Sequence, residues 1–129
     1  MTIKIGDKVP DATLKESIEF TDACPAAPGP VSVAEATAGK KIVVFAVPGA
    51  FTPTCSAQHV PGYLKHLDAI KAKGVDEVWC VAANDGFVMA AWGKDQNAIG
   101  KIRFLGDGSA EWAKKLGLEL DLTAAGMGV

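Results

Sequence analysis

The chain has 129 residues, 49% hydrophobic and 22% charged, the balance of one ordinary globular domain over 1–129. A formal net charge of −2 excludes the clustered basic excess that grips nucleic acid. The longest apolar runs, Ile42–Val47 and Val78–Ala83, fall far short of the roughly 20 residues a membrane-spanning helix needs. The opening Met1-Thr2-Ile3-Lys4-Ile5-Gly6-Asp7 lacks the apolar core of an export or transit signal, so a cytoplasmic location is expected. Three cysteines, an odd number, then point to free thiols rather than disulfide staples.

In chain order, residues 1–23 read as an irregular arm with extended pieces at Ile3–Ile5 and Ala12–Leu14. The stretch 23–30 holds Cys24 among Pro25, Pro28, Gly29 and Pro30 and reads as a Pro-rich surface loop, because proline is excluded from helix interiors and central strands. Ile42–Val47 is predicted as a buried strand, apolar on both faces and ended by Pro48-Gly49. A helix follows from about Pro53 to Lys73, with Tyr63, Leu67 and Ile70 on one face. Pro61-Gly62 should kink it, and Gly74 closes it. Glu77–Ala83 is a second buried strand, and Asn84-Asp85 caps a helix holding Phe87 to Trp92. Ile102–Leu105 is a third strand, after which Ser109 caps a helix over Ala110–Leu116. This alternation specifies an α/β fold with parallel strands and right-handed crossovers.

Chemistry concentrates in Pro48-Gly49-Ala50-Phe51-Thr52-Pro53-Thr54-Cys55. Thr52 suits the N-cap and Pro53 the first helical position, which places Cys55 in the first turn. There its sulfur meets unpaired backbone N–H groups and the positive end of the helix dipole, both favouring thiolate. The carboxyl end of a strand in an α/β sheet is also where ligands bind. Taking a thiol from about 8.5 to about 6 requires ~3.4 kcal/mol. A helix end supplies about 2 at best, so a cation or further donors are needed. His59, one turn on, is the local cation, although local packing or hydrogen bonding is the commoner role for such a residue. His66 falls on the solvated helix face. An inert buried cysteine is the alternative for Cys55. Cys55-x-x-x-His59 could suggest zinc, but no second pair with ligand spacing follows. Trp79, Trp92 and Trp112 fit core or interface packing.

These residues resemble the peroxiredoxins. Pro48, Thr52 and Cys55 meet the Pro-x-x-x-Thr-x-x-Cys signature. The run from Pro48 through Ser56, followed by His59-Val60-Pro61-Gly62, is similar to the type II, peroxiredoxin-5-like branch, and is closest to plant and algal members. The likeness continues through Gly74–Glu77, Asn84–Met89, Ala91–Lys94, Asp107–Ser109 and Leu116–Leu122. It implies a thioredoxin-like fold and a thiol-dependent peroxidase acting on hydrogen peroxide and alkyl hydroperoxides. Cys55 would be the nucleophile that becomes sulfenic acid. Thr52 would hold peroxide and sulfur through its hydroxyl, and Pro48 would shield the site. The backbone at Gly49, Thr54 and Cys55 would bind substrate. No metal or organic cofactor is implied. The partners implied are glutaredoxin with glutathione, or thioredoxin, as reductant, and a second copy in a homodimer. Cys80 matches the spacing of a resolving thiol, and a core cysteine is an equal alternative. Cys24 matches no family position.

By the same resemblance the fold would continue past Val129 into a hairpin, a helix and an arginine, so the domain is expected to be C-terminally incomplete. Arg103 does not match that arginine, and the strand before Pro48 would be left with an open edge. Two expectations follow: a peroxidase, or a catalytically impaired redox-sensing or interaction module on a thioredoxin-like fold.

Overall fold

A computed structural model of the chain describes residues 2–22 and 24–129. In order the elements are β1 (Thr13–Glu16), β2 (Phe20–Thr21), β3 (Cys24–Pro25), β4 (Gly29–Ser32), α1 (Val33–Thr37) and β5 (Ile42–Ala46). A π-helical turn (Cys55–His59) leads into α2 (Val60–Lys65) and α3 (Leu67–Ala72). Then come β6 (Glu77–Ala82), α4 (Gly86–Asp95), β7 (Arg103–Gly106), α5 (Glu111–Leu116) and a short 3-10 turn (Thr123–Ala125). Five strands form one sheet in the order β4-β1-β7-β6-β5, with β5, β6 and β7 parallel and β1 and β4 antiparallel.

β6 divides the core. Its alternate side chains Val78, Cys80 and Ala82 join Phe45, Val47, Cys55, Val60, Met89, Trp92 and Phe104 on one face. Trp79 and Val81 join Leu14, Val33, Leu105 and Trp112 on the other. All three tryptophans are therefore core residues, the first of the two roles expected for them.

The amino-terminal arm contributes an inner strand. Leu14, with no exposed surface, packs beneath the sheet while its neighbours Thr13 and Lys15 face outward. The Pro-rich stretch is likewise more ordered than a loop. Cys24–Pro25 pairs with Phe20–Thr21, and Gly29 and Pro30 begin β4. Ala23 lies outside the described residues. Proline is tolerated because β4 is the sheet edge, where a missing N–H breaks no second ladder. β5 is the opposite edge, so it is not buried on both faces. Phe45 and Val47 point into the core, whereas Val44 is 41% exposed. With Ile42 and Ala46 it borders an apolar groove of about 540 Å³ reaching Trp112 and Leu118.

One cap and one kink differ from expectation. α5 is capped by the buried Asp107, whose carboxylate accepts the N–H groups of Trp112 (3.1 Å) and Ala113 (2.9 Å); Ser109 does not cap it. Helix α2 passes through Pro61-Gly62. The irregularity precedes it as the π-helical turn, in which the Val60 N–H donates to the Cys55 carbonyl, and a break follows at His66. Pro61 has no N–H to give, and widening the turn ahead of it absorbs the missing donor.

Candidate active site

The site sits where β5 runs out. Val47 N–H still pairs with the Val81 carbonyl at 3.1 Å; the chain then leaves the sheet through exposed Pro48 and buried Gly49. The Ser56 N–H bonds the Thr52 carbonyl at 2.9 Å, opening the helical segment one residue before Pro53. Thr54 and Cys55, the next two donors, find no backbone acceptor among the described residues. Two N–H groups thus remain free within one residue of the Cys55 sulfur.

Cys55 is 3% exposed and packs in the same cluster as Phe45, Val60, Cys80 and Trp92. Beside it, the Trp92 indole donates to the Ser56 hydroxyl at 2.9 Å, tying the turn after Cys55 to α4. The Thr52 hydroxyl does not cap the helix as expected. It donates to the Gly49 carbonyl at 2.8 Å, across the turn. Its proton is therefore committed, and its lone pairs remain available as acceptors.

The turn is strained at Phe51, a non-glycine residue at φ +61° that is 53% exposed, its ring in tilted contact with Trp92 at 6.4 Å between centroids. Such a backbone costs about 1–3 kcal/mol and persists only where its surroundings hold it. Asn84, expected only as a helix cap, leaves that task to Asp85, whose carboxylate accepts the Val88 N–H at 2.8 Å. The Asn84 carboxamide oxygen instead accepts the Ala50 N–H at 2.8 Å. No sequence signal marked this contact, because it joins residues that are neighbours only in the fold. Met127 reaches the same turn, its methyl 3.2 Å from where a Cβ on Gly49 would stand.

The remaining candidates fall elsewhere. Cys80 has no exposed surface; burial, and then the nearby Cys55, push its thiol far above the ordinary range. Cys24 is exposed on β3. His59 faces solvent rather than packing against the core, because the π-helical turn buries Cys55 and turns its outer residues away; His66 is exposed as expected. Arg103 lies at the opposite end of the parallel strands, paired with Trp79. Both Glu16 oxygens (3.0 and 2.7 Å) and Glu77 (3.0 Å) hold its guanidinium. Among the described residues no group of three or more His, Cys, Asp or Glu side chains is arranged to hold a metal.

The chain matches the Redoxin family over residues 4–128. It is 49% identical over 127 residues to Peroxiredoxin-2B of Arabidopsis thaliana, covering 98% of this chain and 75% of that one. The crystal structure of reduced Prx3 in complex with H2O2 from Vibrio vulnificus superposes with a TM-score of 0.84 at 48% identity, covering 94% of this chain and 72% of that one. Peroxiredoxin 5 from Alvinella pompejana superposes with a TM-score of 0.79 at 38% identity, covering 95% and 73%. The shared architecture is thioredoxin-like, the fold class expected from the sequence. With nearly its whole length matched in both sequence and structure, the chain belongs to the redoxin family, among its peroxiredoxins.

Proposed function

We propose that the chain is a thiol-dependent peroxidase that reduces hydrogen peroxide and alkyl hydroperoxides at Cys55. One observation carries the reading: a cysteine in the first helical turn after a strand end, near two backbone N–H groups without a backbone acceptor and a threonine oxygen left as an acceptor. The Cys55 thiolate attacks one peroxide oxygen and forms an S–O bond while the O–O bond breaks. Sulfur gives up two electrons, Cys55 becomes sulfenic acid, and the departing oxygen takes a proton and leaves as water or alcohol. Thr52 Oγ1, its proton held by Gly49, accepts the peroxide O–H and orients the attack. The N–H groups of Thr54 and Cys55 stabilise the charge that moves onto oxygen. Pro48, exposed on the rim, limits the approach of bulk water.

A thiol donor then condenses with the sulfenic acid, releasing water, and a second thiol releases the mixed disulfide and restores Cys55. The reductant is glutaredoxin with glutathione, or thioredoxin, in the cytoplasm. Cys80 resolves only if the first helical turn opens, since it lies in a strand interior with its thiol held protonated. Exposed Phe51 and Phe87 favour burial against a second copy of the chain, a homodimer. The test is peroxide consumption coupled to each reductant system, with Cys55→Ser as control. Turnover with one system and none in the variant is expected; no consumption with either overturns the proposal.

A further inference from the structure

The peroxidase reading gives Cys55 and Thr52 their tasks but leaves open what holds the turn between them in a strained shape. We propose that Asn84 is a positioning residue for the Cys55 site. Its carboxamide, by accepting the Ala50 N–H, fixes the turn that presents Thr52 and the free helix amides. This rests on the peroxidase reading for its consequence and on the geometry alone for its placement.

The turn has few other restraints. Pro48 and Pro53 have no N–H, and the Gly49 carbonyl is already taken by Thr52. Phe51 sits at φ +61° and is half exposed, so packing alone does not anchor it. Among the described residues the Ala50–Asn84 bond is the hydrogen bond that ties the turn to another element, and at 2.8 Å it is short and half-buried.

Asn84 itself is clamped. Gly106 presses on it so closely that a Cβ there would lie 2.6 Å from the Asn84 carbonyl oxygen and 2.8 Å from the Asp85 carbonyl carbon. The Asp107 N–H bonds the Ala82 carbonyl at 2.8 Å, and Asp85 caps α4 on the other side. A rigid strand end and a capped helix therefore hold the carboxamide in place. The residue type also matters. An amide supplies the acceptor without charge, whereas a carboxylate of the same shape would oppose a thiolate forming at the next helical turn.

The experiment uses the wild type, Asn84→Ala and Asn84→Asp, each checked for folding by thermal melting. For each, the second-order rate of Cys55 oxidation by hydrogen peroxide and the rate of Cys55 alkylation by iodoacetamide are measured across pH. Asn84→Ala is expected to lose tenfold or more against peroxide but less than threefold against iodoacetamide, since alkylation presents no peroxide oxygen for Thr52 and the amides to orient. Asn84→Asp, nearly isosteric and retaining the acceptor, should keep the turn and move the alkylation midpoint to higher pH. Equal losses toward both reagents, or an unchanged peroxide rate, overturn the positioning role. If the wild type itself fails to react with peroxide, the peroxidase reading falls, and the alkylation midpoint of Asn84→Asp still decides the assignment: an upward shift supports it and an unmoved one overturns it.

Discussion

Replacing Gly106 by alanine should damage both stability and the site. Gly106 ends β7, paired with Ala82 on one side and Lys15 on the other, so its backbone is held by two ladders. An added Cβ would meet Asn84 O at 2.6 Å, Asp85 C at 2.8 Å and Gly86 N at 2.9 Å, all of them backbone atoms. Ordinary contact begins at 3.4 Å, so the strand end or the 84–86 turn must shift by about 0.8 Å. Overpacking of this kind costs about 1–3 kcal/mol. At about 3–6 °C per kcal/mol for a chain of this size, the melting temperature falls by roughly 3–18 °C. A shift of that size also stretches the 2.8 Å Ala50–Asn84 bond beyond hydrogen-bonding range, so peroxide reactivity at Cys55 should fall with stability. Gly62→Ala is the control. It lies inside α2 with nothing within 4 Å of an added Cβ, and alanine there should stabilise by about 0.5–1 kcal/mol. Melting curves followed by circular dichroism, with Cys55 kinetics on the same samples, test both. A Gly106→Ala protein that melts with the wild type and reacts equally fast would refute the clash and the coupling.

Three further outcomes follow from the same contacts. Glu77 resists burial, which would raise its pKa, because hydrogen bonds from Trp79, Lys40 and Arg103 hold it at about 2 against an ordinary 4.5. Its contribution is therefore complete above about pH 4.5 and vanishes as pH falls through 2. With solvent screening allowed for, that is about 1–2 kcal/mol, so urea midpoints of wild type and Glu77→Gln should differ at pH 6 and converge near pH 2; parallel curves contradict this. Cys80, fully buried with its thiol pushed up by burial and by Cys55, should resist iodoacetamide at pH 8 in the native protein and react once urea unfolds it, as peptide mapping would show. Asp107→Ala removes the acceptor of two α5 N–H groups and should cost about 2–3 kcal/mol by urea denaturation, while Ser109→Ala costs almost nothing.

Local signals carried the parallel core and the approach to Cys55. The β-branched runs at 42–47 and 77–83 are strands, and Pro53 does open the helical segment. Contacts between distant segments did not show in the same way. Ala12–Leu14 reads from the sequence only as an extended piece of an irregular arm; Thr13–Glu16 becomes an inner strand because Leu14 fills the core beneath β7 and β4 covers its far side. Helix α1 was in fact announced by Ser32 and Glu35 at capping-box spacing, with the Ser32 hydroxyl accepting the Glu35 N–H at 3.3 Å. Pro61 signalled an irregular helix, but a proline's missing donor can be absorbed by a kink at the residue or by a wider turn before it, and only the packing of Cys55 into the core selects the latter. At the site, the signature residues stood together in the sequence, whereas Asn84, thirty-four positions from Ala50, became a partner only when β5 and β6 paired.

Local structure, not exposure, sets which thiol meets peroxide. The reduced protein, titrated with substoichiometric hydrogen peroxide in the presence of a sulfenic-acid trap and digested, gives the oxidation of each cysteine by mass spectrometry. Cys55, 3% exposed, should be modified first and nearly alone, with exposed Cys24 far behind and Cys80 untouched. Modification of Cys24 ahead of Cys55 would contradict it.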